Sequence, residues 1–186
     1  MGNNELSLHP QTFSSKNIIL EPVSMTGLSD FHKYSIVSEL YDHLEFPPFK
    51  NISESKTYLY KLIDISESKL AQYWFIRAKN YDTIVGTFGA VNLDVIRHSV
   101  EIGYGVSPHY WRKGYFTEAA NLILDYLYNE LQLRRVWAIS SVNNIASIIA
   151  LEKLGFLREG IMNDYYRNSS GHWYDAVLLA KLKSMK

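Results

Sequence analysis

A basic turn that contains a glycine, between a strand pattern and a helix pattern, is the stretch of this sequence best suited to chemistry. Apolar residues alternate with glutamate and glycine over residues 99–106, which predicts a strand with one bare face. Arg112, Lys113 and Gly114 follow, and apolar residues then recur at helical spacing up to Leu131. A helix start presents unpaired N–H groups and a positive dipole end, so two adjacent cations favour phosphate or pyrophosphate binding. The alternative is an ordinary connection with a solvated basic turn, and the turn alone leaves both interpretations open.

Composition restricts the chemistry further. The 186-residue chain contains no cysteine, which excludes disulfides, thiolate metal sites and a thiol nucleophile. Its six histidines lack the paired spacing of metal ligands, so we predict no metal. A formal net charge of +0 and a sequence pI of about 7.0 provide no overall attraction to nucleic acid or an anionic membrane. Any anion site must therefore be local.

The length and the ends of the sequence suggest its organisation. A chain of 186 residues with 47% hydrophobic residues suits one well-filled core, so we predict a single domain over residues 1–186. The first residues lack the pattern of a signal peptide, and no apolar run is long enough to span a bilayer. These features predict a cytoplasmic protein.

The remaining patterns predict the elements that would position the basic turn. Strands are predicted over residues 17–22, 73–78, 84–91, 99–106, 135–140, 160–166 and 173–182. Two helices are predicted over residues 24–34 and 53–65. A third is predicted from the basic turn to residue 131, and a fourth begins at Asn143-Asn144 and ends at residue 153. Residues 39–49 are expected to form a stiff aromatic and acidic loop because they contain Pro47 and Pro48, and residues 168–171 a turn. The fold class is α/β (α+β), with a mixed, mostly antiparallel seven-stranded sheet and four helices on its faces.

Four motifs, in order, carry a resemblance that covers nearly the whole chain. They are EIGYGVSPHYWRKGYFTEA at residues 101–119, RVWAISSVNNIASIIALEKLGF at 135–156, EG at 159–160 and WYD at 173–175. Together they resemble the GNAT superfamily of N-acetyltransferases and, within it, the RimJ and RimL branch. This resemblance implies a GNAT fold whose two central strands splay apart, with acetyl-coenzyme A (acetyl-CoA) wedged in the gap as co-substrate.

The resemblance also assigns cofactor-binding positions. Backbone amides of the basic turn would hold the pyrophosphate, and the exposed backbone of the preceding strand would pair with pantetheine. These positions are Ile102, Tyr104, Val106, Trp111, Arg112, Lys113, Gly114, Tyr115, Phe116, Thr117, Asn144 and Ser147. Asn144 can equally be a helix cap. The sequence departs from the branch at Arg112, Phe116 and Leu151, where relatives commonly have glycine, a small residue and a general-acid tyrosine.

Acetyl transfer to an amine needs a base, stabilisation of an oxyanion and help for the departing thiolate. Without a cysteine, we expect direct attack in a ternary complex. Glu101 is the candidate base, acting through a water, and its alternative is a structural carboxylate that pairs with a neighbouring strand. Ser147 matches a serine of the RimL branch that could protonate the sulfur, and its alternative is a serine in the first helical turn that bonds to the backbone.

The acceptor pocket is predicted from aromatic and acidic residues, although clustered aromatics also commonly form a core. These residues are Glu45, Phe46, Phe49, Trp74, Phe88, Tyr165 and Tyr166. The leading acceptor is the α-amino group of a protein N-terminus. A second hypothesis is the amino group of an aminoacyl-nucleotide antibiotic, by a weaker resemblance to the acetyltransferase domains of microcin C self-immunity proteins. A third is a non-catalytic coenzyme A-binding module, and we expect a monomer or a homodimer.

Overall fold

An eight-stranded mixed sheet organises the computed structural model, which describes residues 6–167 and 171–183. The strands are β1 (Phe13–Ser14), β2 (Ile18–Pro22), β3 (Gln72–Ala78), β4 (Thr83–Asp94), β5 (Ser99–Val106), β6 (Arg135–Ser141), β7 (Leu157–Arg167) and β8 (Trp173–Leu182). The helices are α1 (Leu28–Ser35), α2 (Ile52–Glu67), α3 (Tyr115–Asp125) and α4 (Ile145–Lys153). A π-helical turn, Tyr126–Glu130, continues α3, and short 3-10 turns cover Met25–Gly27, Ser38–Tyr41 and Pro108–Tyr110.

The strand order is β1-β2-β3-β4-β5-β6-β8-β7. Strands β1 to β5 form an antiparallel series, and β8 pairs antiparallel with both β6 and β7. The β5–β6 pair is parallel, because α3 carries the chain back across the sheet between these strands. The centre of the sheet therefore consists of two parallel strands that belong to two antiparallel halves.

Each face of the sheet carries its own apolar cluster, because successive strand side chains point to opposite faces. On one face, Trp74 and Phe88 pack with buried residues of α3 and α4, such as Ile123 and Leu151. On the other face, Phe75 packs with residues of α1 and α2. Among the described helices, none has the length and apolar character needed to cross a bilayer.

The predicted architecture is confirmed: a mixed, mostly antiparallel sheet with four helices. The count of seven strands was wrong by one, because β1 has only two residues, too few to produce an alternating pattern. The second helix begins after Asn51 rather than at Ser53, since the Asn51 side chain accepts a hydrogen bond from the Glu54 N–H at 3.0 Å. The predicted turn at 168–171 falls mainly outside the described residues.

Glu118 ties the end of α3 nearest the basic turn to the connection between β1 and β2. Its carboxylate accepts hydrogen bonds from the Ser15 hydroxyl and the Asn17 side-chain amide, each at 2.5 Å. The Asn17 backbone N–H adds a third, at 3.2 Å. Burial opposes the ionisation of Glu118, but these hydrogen bonds outweigh it and lower its pKa. This cluster therefore fixes the start of α3 against the sheet.

We expect Glu118→Gln to lower the free energy of unfolding by about 1–2 kcal/mol at pH 7. The reason is that one of the two carboxylate oxygens that accept these hydrogen bonds is replaced by an amide nitrogen, which cannot accept one. A group with a lowered folded pKa stabilises the fold above its unfolded pKa, and this stabilisation is lost as the pH falls through the folded value. The difference between variant and wild type should therefore shrink below about pH 4.5. Urea unfolding at several pH values measures it. Glu67→Gln, at an exposed position near the end of α2, is the control, and equal losses in both variants would contradict the assignment.

Candidate active site

A gap opens between β5 and β6 in the middle of the sheet. The two strands pair only over Ser99–Arg135, Val100–Val136 and Glu101–Trp137. Beyond Glu101, β5 continues to Val106 along β4, and β6 continues to Ser141 along β8. The two central strands therefore diverge, as the sequence resemblance implied, and Glu101 lies where the gap begins.

Backbone groups of β5 face this gap at alternate residues. The N–H of Ser107, an odd-numbered residue directly after β5, donates to the Val85 carbonyl at 2.7 Å and so points toward β4. The Gly105 carbonyl points the same way, since a Cβ on Gly86 would lie 2.3 Å from it. The direction of backbone hydrogen bonds alternates along a strand. The N–H and C=O groups of the even-numbered residues therefore point into the gap. These are Ile102, Tyr104 and Val106, the positions predicted to pair with pantetheine.

Two side chains satisfy carbonyl groups on the opposite edges of the gap. The Trp111 indole N–H donates to the Val106 carbonyl at 2.6 Å. The Tyr166 hydroxyl donates to the Ile139 carbonyl at 3.3 Å. The Val106 carbonyl therefore already has a donor, which leaves its N–H as the group that can meet a ligand. Trp111 acts here through its side chain, a role that the predicted turn motif did not indicate.

The basic turn places several N–H groups together at the start of α3. Arg112 and Gly114 have positive φ angles of 62° and 83°, and the first bond of the helix runs from the Glu118 N–H to the Gly114 carbonyl. No side chain caps this helix, so in the described chain the N–H groups of residues 115–117 have no acceptor. A Cβ on Gly114 would meet no atom within 4 Å, so the space beside Gly114 is open. This geometry fits a pyrophosphate.

The two cations of the turn differ in their surroundings. The Lys113 ammonium lies 5.0 Å and 4.9 Å from the ring centroids of Tyr81 and Tyr110, and it is within 3.4 Å of the Tyr81 hydroxyl. The Arg112 side chain is exposed and has no hydrogen bond or ion pair among the described residues. Arg112 is therefore the cation that is free to approach a phosphate.

The bulky Phe116 does not narrow the turn, because its ring points into the protein. Its centroid lies 4.0 Å from that of Tyr104 and 6.4 Å from that of Phe88. This packing explains how the turn accommodates a large residue where relatives have a small one.

The predicted polar residues of α4 lie beside the gap. The Asn144 side chain accepts a hydrogen bond from the Ser147 N–H at 3.1 Å, so Asn144 caps the helix. The Ser147 hydroxyl is 2.7 Å from the Tyr104 hydroxyl, which connects α4 to β5. Leu151, where relatives commonly have a tyrosine, is 0% exposed. Ser147 and Tyr104 are therefore the hydroxyl groups that this part of the site presents.

Glu101 lies on the other face of β5, beside two tyrosines of the far half of the sheet. Burial raises its pKa, and a hydrogen bond from the Asn92 amide at 2.7 Å opposes the rise. Burial, followed by the charges of Glu101 and Glu45, raises the pKa of Tyr165. Burial also raises the pKa of Tyr166, with Tyr165, Glu45 and Glu101 contributing. These carboxylates and rings therefore surround one region of the sheet.

The space above the strand next to Glu101 is open. A Cβ on Gly103 would meet no atom within 4 Å, whereas one on Gly105 would contact Leu40. Tyr73 borders this space, since its ring occupies the position above the neighbouring Gly89. The sequence did not indicate Tyr73 or Asn92 as site residues. The pattern around Tyr73 predicts an ordinary strand aromatic, and the pattern around Asn92 predicts a turn.

The structure corrects two of the predicted acceptor residues, Trp74 and Phe88. Trp74 and Phe88 are 0% exposed on the opposite face, where the Trp74 indole donates to the Gln11 carbonyl. Alternation along β3 and β4 directs both rings away from Glu101. The rings of Phe46 and Phe49 stack 6.2 Å apart in the loop after α1, and Phe46 is 37% exposed. In the described chain, no three histidine, aspartate or glutamate side chains form a metal-binding group.

We expect Gly114→Ala to raise the Kd for coenzyme A about tenfold, equivalent to about 1.4 kcal/mol. The new methyl group would enter the open space beside the turn and would strain a left-handed residue. Isothermal titration calorimetry measures the affinity. Gly160→Ala is the control, because it adds a methyl group in open space far from the turn, and an unchanged Kd for Gly114→Ala would contradict this phosphate site.

The chain is similar to known acetyltransferases over most of its length. A family model described as "Acetyltransferase (GNAT) domain" matches residues 17–157. The uncharacterized N-acetyltransferase p20 of Bacillus licheniformis is 27% identical over 173 residues, which cover 93% of this chain and 97% of that protein.

Solved structures share the fold. RimL, a ribosomal L7/L12 alpha-N-protein acetyltransferase, superposes with a TM-score of 0.84 at 16% identity, covering 93% of this chain and 94% of that chain. The microcin C7 self immunity acetyltransferase MccE, solved with acetyl-CoA and AMP, superposes with a TM-score of 0.83 at 22% identity, covering 95% and 99%. Because the family match spans most of the sequence, this chain belongs to the GNAT family and is an N-acetyltransferase.

Proposed function

We propose that this enzyme transfers an acetyl group from acetyl-CoA to an α-amino group, such as the N-terminus of a protein, by direct attack in a ternary complex. The observation that carries the proposal is the position of Glu101. Its partly buried carboxylate lies where β5 and β6 part, next to open space above Gly103. A base at this point can reach an amine that approaches the end of the gap.

The residues along the gap would hold the co-substrate. The free N–H groups of residues 115–117 would bind its pyrophosphate, with Arg112 beside them. The gap-facing backbone of Ile102 and Tyr104 and the Val106 N–H would pair with the pantetheine arm. When bound, acetyl-CoA supplies a thioester carbonyl that an amine can attack.

Glu101 would then control the proton of the acceptor. At neutral pH an α-amino group is partly protonated, and the negative charges of Glu101 and Glu45 favour its approach. Glu101 accepts a proton from the amine through a water, which frees the nitrogen lone pair. The nitrogen attacks the carbonyl carbon, the carbon–sulfur bond breaks and the coenzyme A thiolate departs, and the nitrogen releases its second proton to solvent as the carbon–nitrogen bond becomes an amide.

A small cavity beside Tyr166 supports a peptide acceptor. A cavity of about 130 Å³ lies beside Tyr166 and is bordered by the loop at 42–45, by Ser141 and Asn143, and by Arg167 and Tyr174. It could receive the residue that follows the amino group in a peptide. Its lining includes the acidic Asp42 and Glu45 and the basic Arg167, so both charged and polar side chains could bind.

A nucleotide-bearing acceptor is the second candidate, because exposed rings lie on the same side. Tyr165 is 41% exposed and packs edge-to-face on Tyr166 at 5.0 Å, and Phe46 is exposed in the loop above. Such rings can stack on a purine. In that case the acceptor would be an aminoacyl-nucleotide, with the amine at the same Glu101.

We expect Glu101→Gln to lower kcat/KM for the amine at least a hundredfold and to remove the acid limb of the rate profile, because a carboxamide cannot accept the proton. In the wild type, that limb should lie above the ordinary glutamate value of 4.5, since burial raises the pKa of Glu101.

Asn92→Gly should move the limb to still higher pH, because it removes a hydrogen bond that favours the ionised form. Glycine tolerates the positive φ of 54° at this position. Glu39→Gln, on the 3-10 turn Ser38–Tyr41, is the control and should keep the wild-type profile. An unchanged profile in Glu101→Gln would assign the carboxylate a structural role.

Thiol release with a panel of acceptors tests the proposed substrate class. The panel contains short peptides with free N-termini, their N-acetylated lysine-containing counterparts, and an aminoacyl-adenylate analogue. We expect the free peptides to gain one acetyl group by mass spectrometry, at the N-terminus. Preferential acetylation of the adenylate analogue would favour the second candidate. Tight binding of acetyl-CoA without turnover on any amine would instead indicate a binding module.

A further inference from the structure

A hydroxyl pair joins β5 to α4 beside the gap. The Tyr104 hydroxyl lies 2.7 Å from the Ser147 hydroxyl and 3.5 Å from the Ser147 carbonyl. Tyr104 points to the same face as α3 and α4, whereas Glu101 points to the other face. The base and the hydroxyl pair are therefore on opposite sides of the strand.

The aromatic residues around Tyr104 hold its ring in one orientation. Its ring centroid is 4.0 Å from that of Phe116 and 6.0 Å from that of Phe88. Phe116 belongs to the first turn of α3, so the element that would bind the pyrophosphate also supports this tyrosine. The pair is thereby packed on one side by rings and anchored on the other by the capped start of α4.

The residue one turn after Ser147 in α4 has no side-chain proton that it could donate to the serine oxygen. The side chain one turn later, Leu151, is apolar and fully buried, so it offers no proton. Burial raises the pKa of Tyr104 to about 12, and its bond with Ser147 opposes the rise, so the phenol keeps its proton at neutral pH. It can then act as a donor to the serine oxygen.

We propose that Tyr104 is a positioning residue for the acid step, donating its hydroxyl hydrogen to Ser147 Oγ so that the serine hydrogen is directed at the departing sulfur. The inference rests on the proposed function. As the carbon–sulfur bond breaks, the thiolate takes the Ser147 hydrogen, and the serine oxygen takes the Tyr104 hydrogen. Solvent returns a proton to the phenolate, while the proton from the amine leaves through Glu101.

Donors with different leaving groups separate this role from a packing role. Tyr104→Phe removes the hydroxyl and keeps the ring against Phe116. Its kcat with acetyl-CoA should fall at least tenfold, because an alkyl thiolate needs a proton to depart. With acetyl 4-nitrothiophenol, whose thiolate departs without a proton, the second-order rate should stay within about twofold of wild type. The Kd for coenzyme A should not change.

Two further variants complete the test. Tyr128→Phe removes a buried hydroxyl that donates to the Lys181 carbonyl and should match wild type with both donors. Tyr104→Phe combined with Ser147→Ala should be no slower than Ser147→Ala alone, because both act on one proton. Equal losses with both donors, multiplicative losses in the double variant, or no loss in Tyr104→Phe would overturn the inference.

The proposed function and the role of Tyr104 can fail independently in these experiments. Transfer to amines other than α-amino groups, with the donor-dependent loss intact, would overturn only the proposed acceptor. Wild-type transfer to an α-amine with no loss in Tyr104→Phe would overturn only the role of Tyr104. No thiol release by the wild type with any amine or with water would overturn both.

Discussion

The early end of the β5–β6 pairing is the constraint on which the site depends. Two strands at the centre of a sheet normally satisfy each other's backbone groups along their whole length, and unpaired buried groups are costly. Here pairing stops at Glu101, and the strands then follow their outer partners. The Trp111 indole and the Tyr166 hydroxyl satisfy carbonyls on the two edges, so part of the cost is offset within the chain itself. The remaining groups are those available to a ligand.

The divergence of the strands connects the two chemical sides of the site. The strand β5 presents Glu101 to one face and Tyr104 to the other, because side chains alternate. In the proposed reaction, a thioester lying along the strand edge between them would meet Glu101 on one side and a hydroxyl on the other. The proposed mechanism needs both proton movements, and this one strand would supply both positions.

The packing of α3 connects the turn to the gap. Glu118 ties the first turn of α3 to Ser15 and Asn17, and Phe116 in the same turn packs on Tyr104. A ligand bound at the turn is therefore held at a set distance from the residues that would act on its far end. Such preorganisation contributes to rate because the reacting groups need little further ordering.

Local patterns in the sequence determined the elements, the basic turn and the family of this protein. The alternation in β5, the cations before α3 and the Asn144 cap depend on neighbours in the chain, so short-range reasoning predicted them. The tertiary structure alone decided which aromatic rings border the open space beside Glu101 and which fill the core. Trp74 and Tyr73 are adjacent in the sequence, yet one is buried among α3 and α4 and the other borders the site. That assignment depends on which face of the sheet each helix covers, and the pairing of Tyr104 with Ser147 depends on a contact between residues 43 positions apart.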